Sequence, residues 1–130
     1  MDQTPSTSAE WLHGTLDTLV LKTLAGGRRH GYGIARAIEQ ATEGIVPIEE
    51  GSLYPALYRM EKKGWLEAEW GLSELGRRAK FYRLTPRGRK QLAVQTAEWA
   101  RFAAAISRVL LPPSRLRRFG AAGPEGEPGV

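Results

Sequence analysis

The chain has 130 residues, 42% of them hydrophobic and 25% charged, with no Cys and only two His, His13 and His30. That length suits one small domain with a core and is too short for two; the composition excludes disulfides, thiolate metal sites and thiol nucleophiles, and leaves little for imidazole chemistry. The net charge of +5 suggests an anionic partner without deciding it, no apolar run approaches the ~18 residues of a membrane span, and Met1-Asp2-Gln3 lacks a basic-then-apolar leader pattern, so the expectation is a cytoplasmic protein with no membrane, metal or cofactor.

Residues 1–11, rich in Ser, Thr and Pro and without periodicity, read as a flexible arm, with Trp11 docking on either the core or a partner. Leu12, Leu16, Leu19, Val20, Thr23 and Leu24 recur as on one face of a helix, with Thr15 as its N-cap and Gly26-Gly27 as its stop. A second helix is predicted from about Tyr32 to Thr42, with Ile34, Ala35, Ile38 and Ala41 on one face. Ile45-Val46-Pro47-Ile48 should be extended, because Pro47 biases Val46 away from helix. A third helix, Ser52 to Lys63, would have Ser52 as cap, Pro55 in its first turn and Gly64 as its end.

Residues 65–70 and 79–84 alternate as strands do, joined by an eight-residue loop, Gly71–Arg78. Thr85-Pro86 then opens a helix that runs to Leu111 and stops at Pro112-Pro113. Residues 112–130, rich in Gly and Pro, should be a disordered tail. Three short helices, a hairpin and a long helix predict a mainly α protein with a small β-hairpin: a winged helix-turn-helix over 12–85, followed by a dimerisation helix over 86–111.

That order gives the charge a location. Residues 1–76 are net −4, residues 77–90 carry seven cations and no acid, and the remainder is net +2. The positive segment is the return side of the wing and the start of the last helix. On the third helix Leu53, Ala56, Leu57 and Met60 should face the core, while Pro55, Tyr58, Arg59 and Lys62, flanked by Ser52 and Tyr54, form an outward face. Arg pairs with guanine edges, hydroxyls bond phosphates or bases, and Lys neutralises phosphate, so this face suits double-stranded DNA, with Arg59 as a base reader. Arg77, Arg78 and Lys80 of the wing would reach the backbone or minor groove. Arg83 would pair with either Glu67 or Glu69. Glu49 and Glu50 either face the phosphates, unfavourably, or support the helix. Leu92, Thr96, Trp99, Ala103, Ile106 and Leu110 recur at 4-3-4-3-4, a heptad-like seam for a second copy of the chain, with Trp99 as an interface anchor or a contact for a flat ligand.

The stretches Gly14-Thr15-Leu16-Asp17, His30-Gly31-Tyr32-Gly33-Ile34, Glu50-Gly51-Ser52-Leu53-Tyr54-Pro55-Ala56-Leu57 and Arg77-Arg78-Ala79-Lys80-Phe81-Tyr82-Arg83-Leu84-Thr85 closely resemble the PadR family of bacterial transcriptional regulators, over about residues 12–110. The resemblance implies a dimeric winged-helix DNA binder of the smaller subfamily, commonly a repressor. It implies DNA contacts at Tyr32, Ser52, Tyr54, Arg59 and Lys80, and a planar effector near Trp99. The tip Ser73-Glu74-Leu75-Gly76 departs from the more polar tips of close relatives. Two other classes compete. A winged-helix protein–protein adaptor would show no DNA binding. An enzyme is disfavoured, since Gly31-Tyr32-Gly33 lacks the third Gly and the preceding strand of a phosphate loop, and no nucleophile motif is present.

Overall fold

The structure is a computed structural model that describes residues 4–113, and side chains from Gly14 onward. Its elements in chain order are α1 (Thr4–Ala25), β1 (Arg29–His30), α2 (Gly31–Ala41), α3 (Glu50–Lys62), β2 (Leu66–Leu72), β3 (Arg78–Leu84) and α4 (Pro86–Leu110). The strands form an antiparallel sheet in the order β1-β3-β2. The chain divides into a unit through Gln95 and a second unit from Thr96. The disordered tail expected over 112–130 lies almost wholly outside the described residues, as does the side chain of Trp11.

α1 begins at Thr4, not at Thr15, so residues 4–11 are helical and Thr15 is interior rather than a cap. Pro5 falls in the first turn, where its missing N–H costs nothing, and no further Pro interrupts the helix. Its buried face also differs from the expected one. Val20, Leu21 and Leu24 are in the core together with a buried Asp17, while Leu16 and Leu19 are only partly buried against it.

α2 is capped by His30, whose Nδ1 accepts from the Gly33 N–H at 3.0 Å. His30 also pairs in β1 with Phe81, giving the third strand that sequence periodicity had not indicated. No strand forms between α2 and α3. There the Ile48 N–H donates to the Glu39 carboxylate at 3.1 Å and the Val46 N–H to Thr42 Oγ1 at 3.2 Å, so local side chains take the place of a ladder.

α3 starts two residues before the expected Ser52. Glu49 occupies the cap position without a side-chain cap bond, and its carbonyl accepts from the Ser52 and Leu53 N–H groups at 3.0 and 2.9 Å. Pro55 is therefore inside the helix, and the Gly51 carbonyl it would have served is on an exposed residue, where water can bond it. Leu53, Ala56, Leu57 and Met60 are buried, as the spacing requires. With Ile34, Ile38, Leu66, Tyr82 and Leu84 they complete the core.

The β2–β3 ladder continues to Leu72 opposite Arg78, so the wing arms are longer and its tip, residues 73–77, shorter than the eight-residue loop expected. At the far end Thr85 caps α4 as the Thr-Pro pair predicts: its Oγ1 accepts from the Gly88 N–H at 3.0 Å and donates to the Gly64 carbonyl at 2.7 Å. The same contact seats the start of α4 on the turn before β2.

Burial holds Tyr82 neutral, pushing its hydroxyl above the ordinary value of 10.0, with Glu61 and Tyr54 reinforcing the shift against Lys80. A group whose folded pKa is raised stabilises the fold fully below its unfolded pKa and loses that contribution as pH rises through the folded one. Urea midpoints are therefore expected to fall from about pH 9 to about pH 11, and Tyr82→Phe should flatten that decline. An unchanged slope in the variant would place the alkaline loss elsewhere.

Candidate nucleic-acid interface

The helix-turn-helix sets Tyr32 at the start of α2 and Ser52, Tyr54, Pro55, Tyr58 and Lys62 on the outward side of α3, all of them exposed. Tyr54 packs its ring over Gly31, where a Cβ would meet the ring atoms at 2.6–2.8 Å. Glycine at 31 therefore lets the two helices place both tyrosines together. Partial burial raises the Tyr54 hydroxyl pKa, and the charge of Glu50 adds to it. Glu50 thus lies in the first turn of α3, favourably for the helix dipole, with its field felt at Tyr54. Lys62 lies over the Tyr58 ring, and Arg36 donates to the Tyr32 hydroxyl at 3.2 Å.

Between these helices and the wing runs an open cleft of about 900 Å³ lined by Tyr32, Tyr54, Trp70, Arg77, Arg78 and Lys80, among others. Five of the ten residues expected to contact DNA meet there. Ser52, Pro55, Tyr58 and Lys62 continue the face along α3. Arg78 stacks its guanidinium 4.5 Å from the Trp70 ring, and Lys80 is held 3.3 Å from Glu61 at the end of α3. Trp70 went unnoticed in the sequence; once the register is known, its place near Arg78 on neighbouring strands is the signal.

Arg59 has a partner within its own chain. Its Nη2 lies 2.7 Å from Asp17 Oδ1, and that aspartate side chain is only 9% exposed against 38% for the arginine. The guanidinium is engaged by a buried carboxylate of α1, so Arg59 braces α3 against the core. Removing it takes from a buried carboxylate the guanidinium 2.7 Å away, and with the arginine partly in solvent Arg59→Ala is expected to cost about 1 kcal/mol. A urea midpoint matching the parent protein would refute the brace.

His30 is the second residue whose role the sequence concealed. Because Nδ1 accepts from Gly33, the proton sits on Nε2, which faces Glu74 Oε1 of the wing tip at 3.4 Å. Glu74 is held below the usual carboxylate range by its own backbone N–H and by His30. Arg83 pairs across the strands with Glu67, and Arg28 takes Glu69 at 3.2 Å while lying over Phe81. Glu67 and Glu69 are thus matched with cations outside the cleft, while Glu74 and His30 both line it.

On α4, Leu92 packs partly buried against the core of the first unit. In the second unit Thr96, Trp99, Ile106 and Leu110 are exposed and Ala103 is half-buried. Phe102 and Val109 join the same side and had been overlooked. No group of three or more His, Asp or Glu suited to a metal occurs among the described residues, nor any helix long and apolar enough to cross a membrane.

Helix, short strand, helix, helix and a two-stranded wing, with a cationic and aromatic cleft beside the second helix of the pair, define a winged helix-turn-helix of the DNA-binding kind. The chain belongs to the transcriptional regulator PadR-like family, whose model matches residues 20–94. It is 35% identical over 89 residues to protein X of Lysinibacillus sphaericus, covering 68% of this chain and 82% of that one. Among solved structures it resembles a transcriptional regulator from Clostridium thermocellum, with a TM-score of 0.68 at 32% identity, over 76% of this chain and 96% of that one. A PadR family transcriptional regulator from Eggerthella lenta gives a TM-score of 0.65 at 30% identity, over 82% and 91%.

Proposed function

We propose that this chain is a cytoplasmic, homodimeric, non-enzymatic repressor that binds a two-fold symmetric DNA operator. The observation that carries this reading is the meeting of Tyr32 of α2, Tyr54 of α3 and the wing cations Arg77, Arg78 and Lys80 in one open cleft. Ser52, Tyr54, Pro55, Tyr58 and Lys62 enter the major groove and its flanks. Tyr32, Arg77, Arg78 and Lys80 follow the backbone, with Arg59 acting through the placement of α3. Two copies joined along Thr96, Trp99, Ala103, Ile106 and Leu110 set half-sites about one turn (~34 Å) apart. A planar effector contacting Trp99 would act by altering how the two α4 helices pack, and hence that spacing.

Selection of bound fragments from genomic DNA, followed by footprinting, tests the reading directly. The expected product is a palindrome protected on two successive turns. If Lys62, Arg77, Arg78 and Lys80 of both copies each meet a phosphate, log K should fall with log salt at a slope of about −7. No retarded band at low salt, together with a protein partner that protects residues 52–63, would replace DNA binding with an adaptor role.

A further inference from the structure

The wing tip is built more tightly than a solvent loop needs to be. The Ser73 N–H donates to the Arg77 carbonyl at 2.8 Å, the Gly76 N–H to the Ser73 carbonyl at 2.9 Å, and the Arg77 N–H to Ser73 Oγ at 3.3 Å. Gly76 takes the left-handed φ of 75° that closes this turn. What the locked turn displays is an apolar side chain: Leu75 is 81% exposed. No described core residue gains from it, since it stands beyond the end of the ladder at Leu72 and Arg78.

The charges around it are sorted. Arg77 forms no ion pair with any described residue, and Arg78 lies against Trp70. Glu74, the one acid of the tip, is drawn to His30 on the helix-turn-helix. The tip therefore presents a leucine beside Arg77, with Arg78 at the start of β3 next to it and the tip carboxylate matched to a donor. That combination suits the minor groove, whose potential attracts guanidinium groups and whose sugar walls and base steps accept an apolar wedge.

We infer that Leu75 enters the minor groove of the operator as a wedge between base pairs, partly unstacking one step and bending the DNA. This rests on the DNA-binding reading above. It adds a source of sequence preference at a position that no side chain of α3 reads. Pyrimidine–purine steps unstack most readily, so the step under each wing should be TA or CA/TG.

The test uses the full chain on its selected operator, with fluorophores at the DNA ends to report bending and 2-aminopurine at the step under the wing to report unstacking. Leu75→Ala is expected to lose at least about half of the bend and the 2-aminopurine signal, and to bind about tenfold more weakly, with an unchanged salt slope because no charge is removed. Leu75→Met should retain the bend. Unfolding midpoints should match the parent protein, the side chain being exposed. Operator binding with equal bend and affinity in Leu75→Ala would overturn the wedge and leave the DNA-binding reading intact, as would a Leu75-dependent protein complex on unbent DNA. Failure of the parent protein to bind any DNA fragment would overturn both.

Discussion

Gly88→Ala is expected to lower the unfolding free energy by about 3 kcal/mol, a large share of what a domain of this size has to lose. Gly88 is a buried residue in the first turn of α4, and a Cβ there would sit 2.2 Å from the Trp65 carbonyl oxygen and 2.7 Å from Leu84 Cδ1. Neither obstacle can give way cheaply. The Trp65 carbonyl accepts from the Thr85 N–H at 3.1 Å and shares with the Gly64 carbonyl the one Thr85 hydroxyl proton, so moving it disturbs the bonds that seat the helix. Tilting α4 instead would lengthen the bond from the Gly88 N–H to Thr85 and forfeit the cap, worth about 1 kcal/mol by itself. Overpacking and cap loss together should lower the melting temperature by roughly 15 °C. Gly51→Ala is the control, since no atom lies within 4 Å of the added methyl and helix propensity favours it. If Gly88→Ala melts within about 2 °C of the parent protein, α4 shifts freely on the sheet and the seat described here is not rigid.

Most of the elements were legible because each carries a local signal. Thr85-Pro86 marks a helix start, and alternation marks β2 and β3. The quartet Leu53, Ala56, Leu57 and Met60 fixes which side of α3 is buried. What was not legible has two causes, a decisive partner remote in sequence and a local composition that misleads. β1 has two residues, too few for any periodicity, and exists because Arg29 and His30 pair with Tyr82 and Phe81. The arm–helix boundary in α1 was placed by composition, which Ser and Thr bias toward loop without forbidding helix.

Arg59 illustrates the same limit. On a helical wheel it shares the polar side of α3 with Tyr58 and Lys62, as a base reader would. Only folding brings it to Asp17, 42 residues earlier. A trace was nonetheless present. Asp17, Val20, Leu21 and Leu24 are spaced i, i+3, i+4, i+7, so an acid occupies the first place of an otherwise apolar quartet. A charge on a buried face requires a cation, and the choice among several arginines is what sequence cannot make. Leu92 shows a related limit: it packs partly buried against the core, and a heptad count does not show where a helix passes from packing on its own core to presenting an apolar side.

That transition sets up the expectation with the largest effect on DNA binding. Ile106→Glu should convert the proposed dimer to a monomer and weaken operator binding by about a hundredfold or more. α4 is 25 residues, roughly 37 Å at ~1.5 Å per residue, and beyond Gln95 it carries Trp99, Phe102, Ala103, Ile106, Val109 and Leu110 on adjoining rows. Trp99 is 48% and Ile106 41% exposed, while Val109 and Leu110 are more open still. A stripe of this length is matched most simply by a second copy across a two-fold axis, which sets the same rows against each other. Ile106 lies within the stripe, so glutamate there would bring a carboxylate into an apolar seam in each copy, and desolvation would oppose association. The operator loss follows because each monomer then binds its half-site alone, without the effective concentration that joining provides. Sedimentation should report the monomer, the melting of the first unit should be unchanged, and affinity for an isolated half-site should equal that of the parent protein. If the variant sediments as the parent does, or loses affinity equally on half-site and full operator, α4 is not the surface that joins the two reading heads.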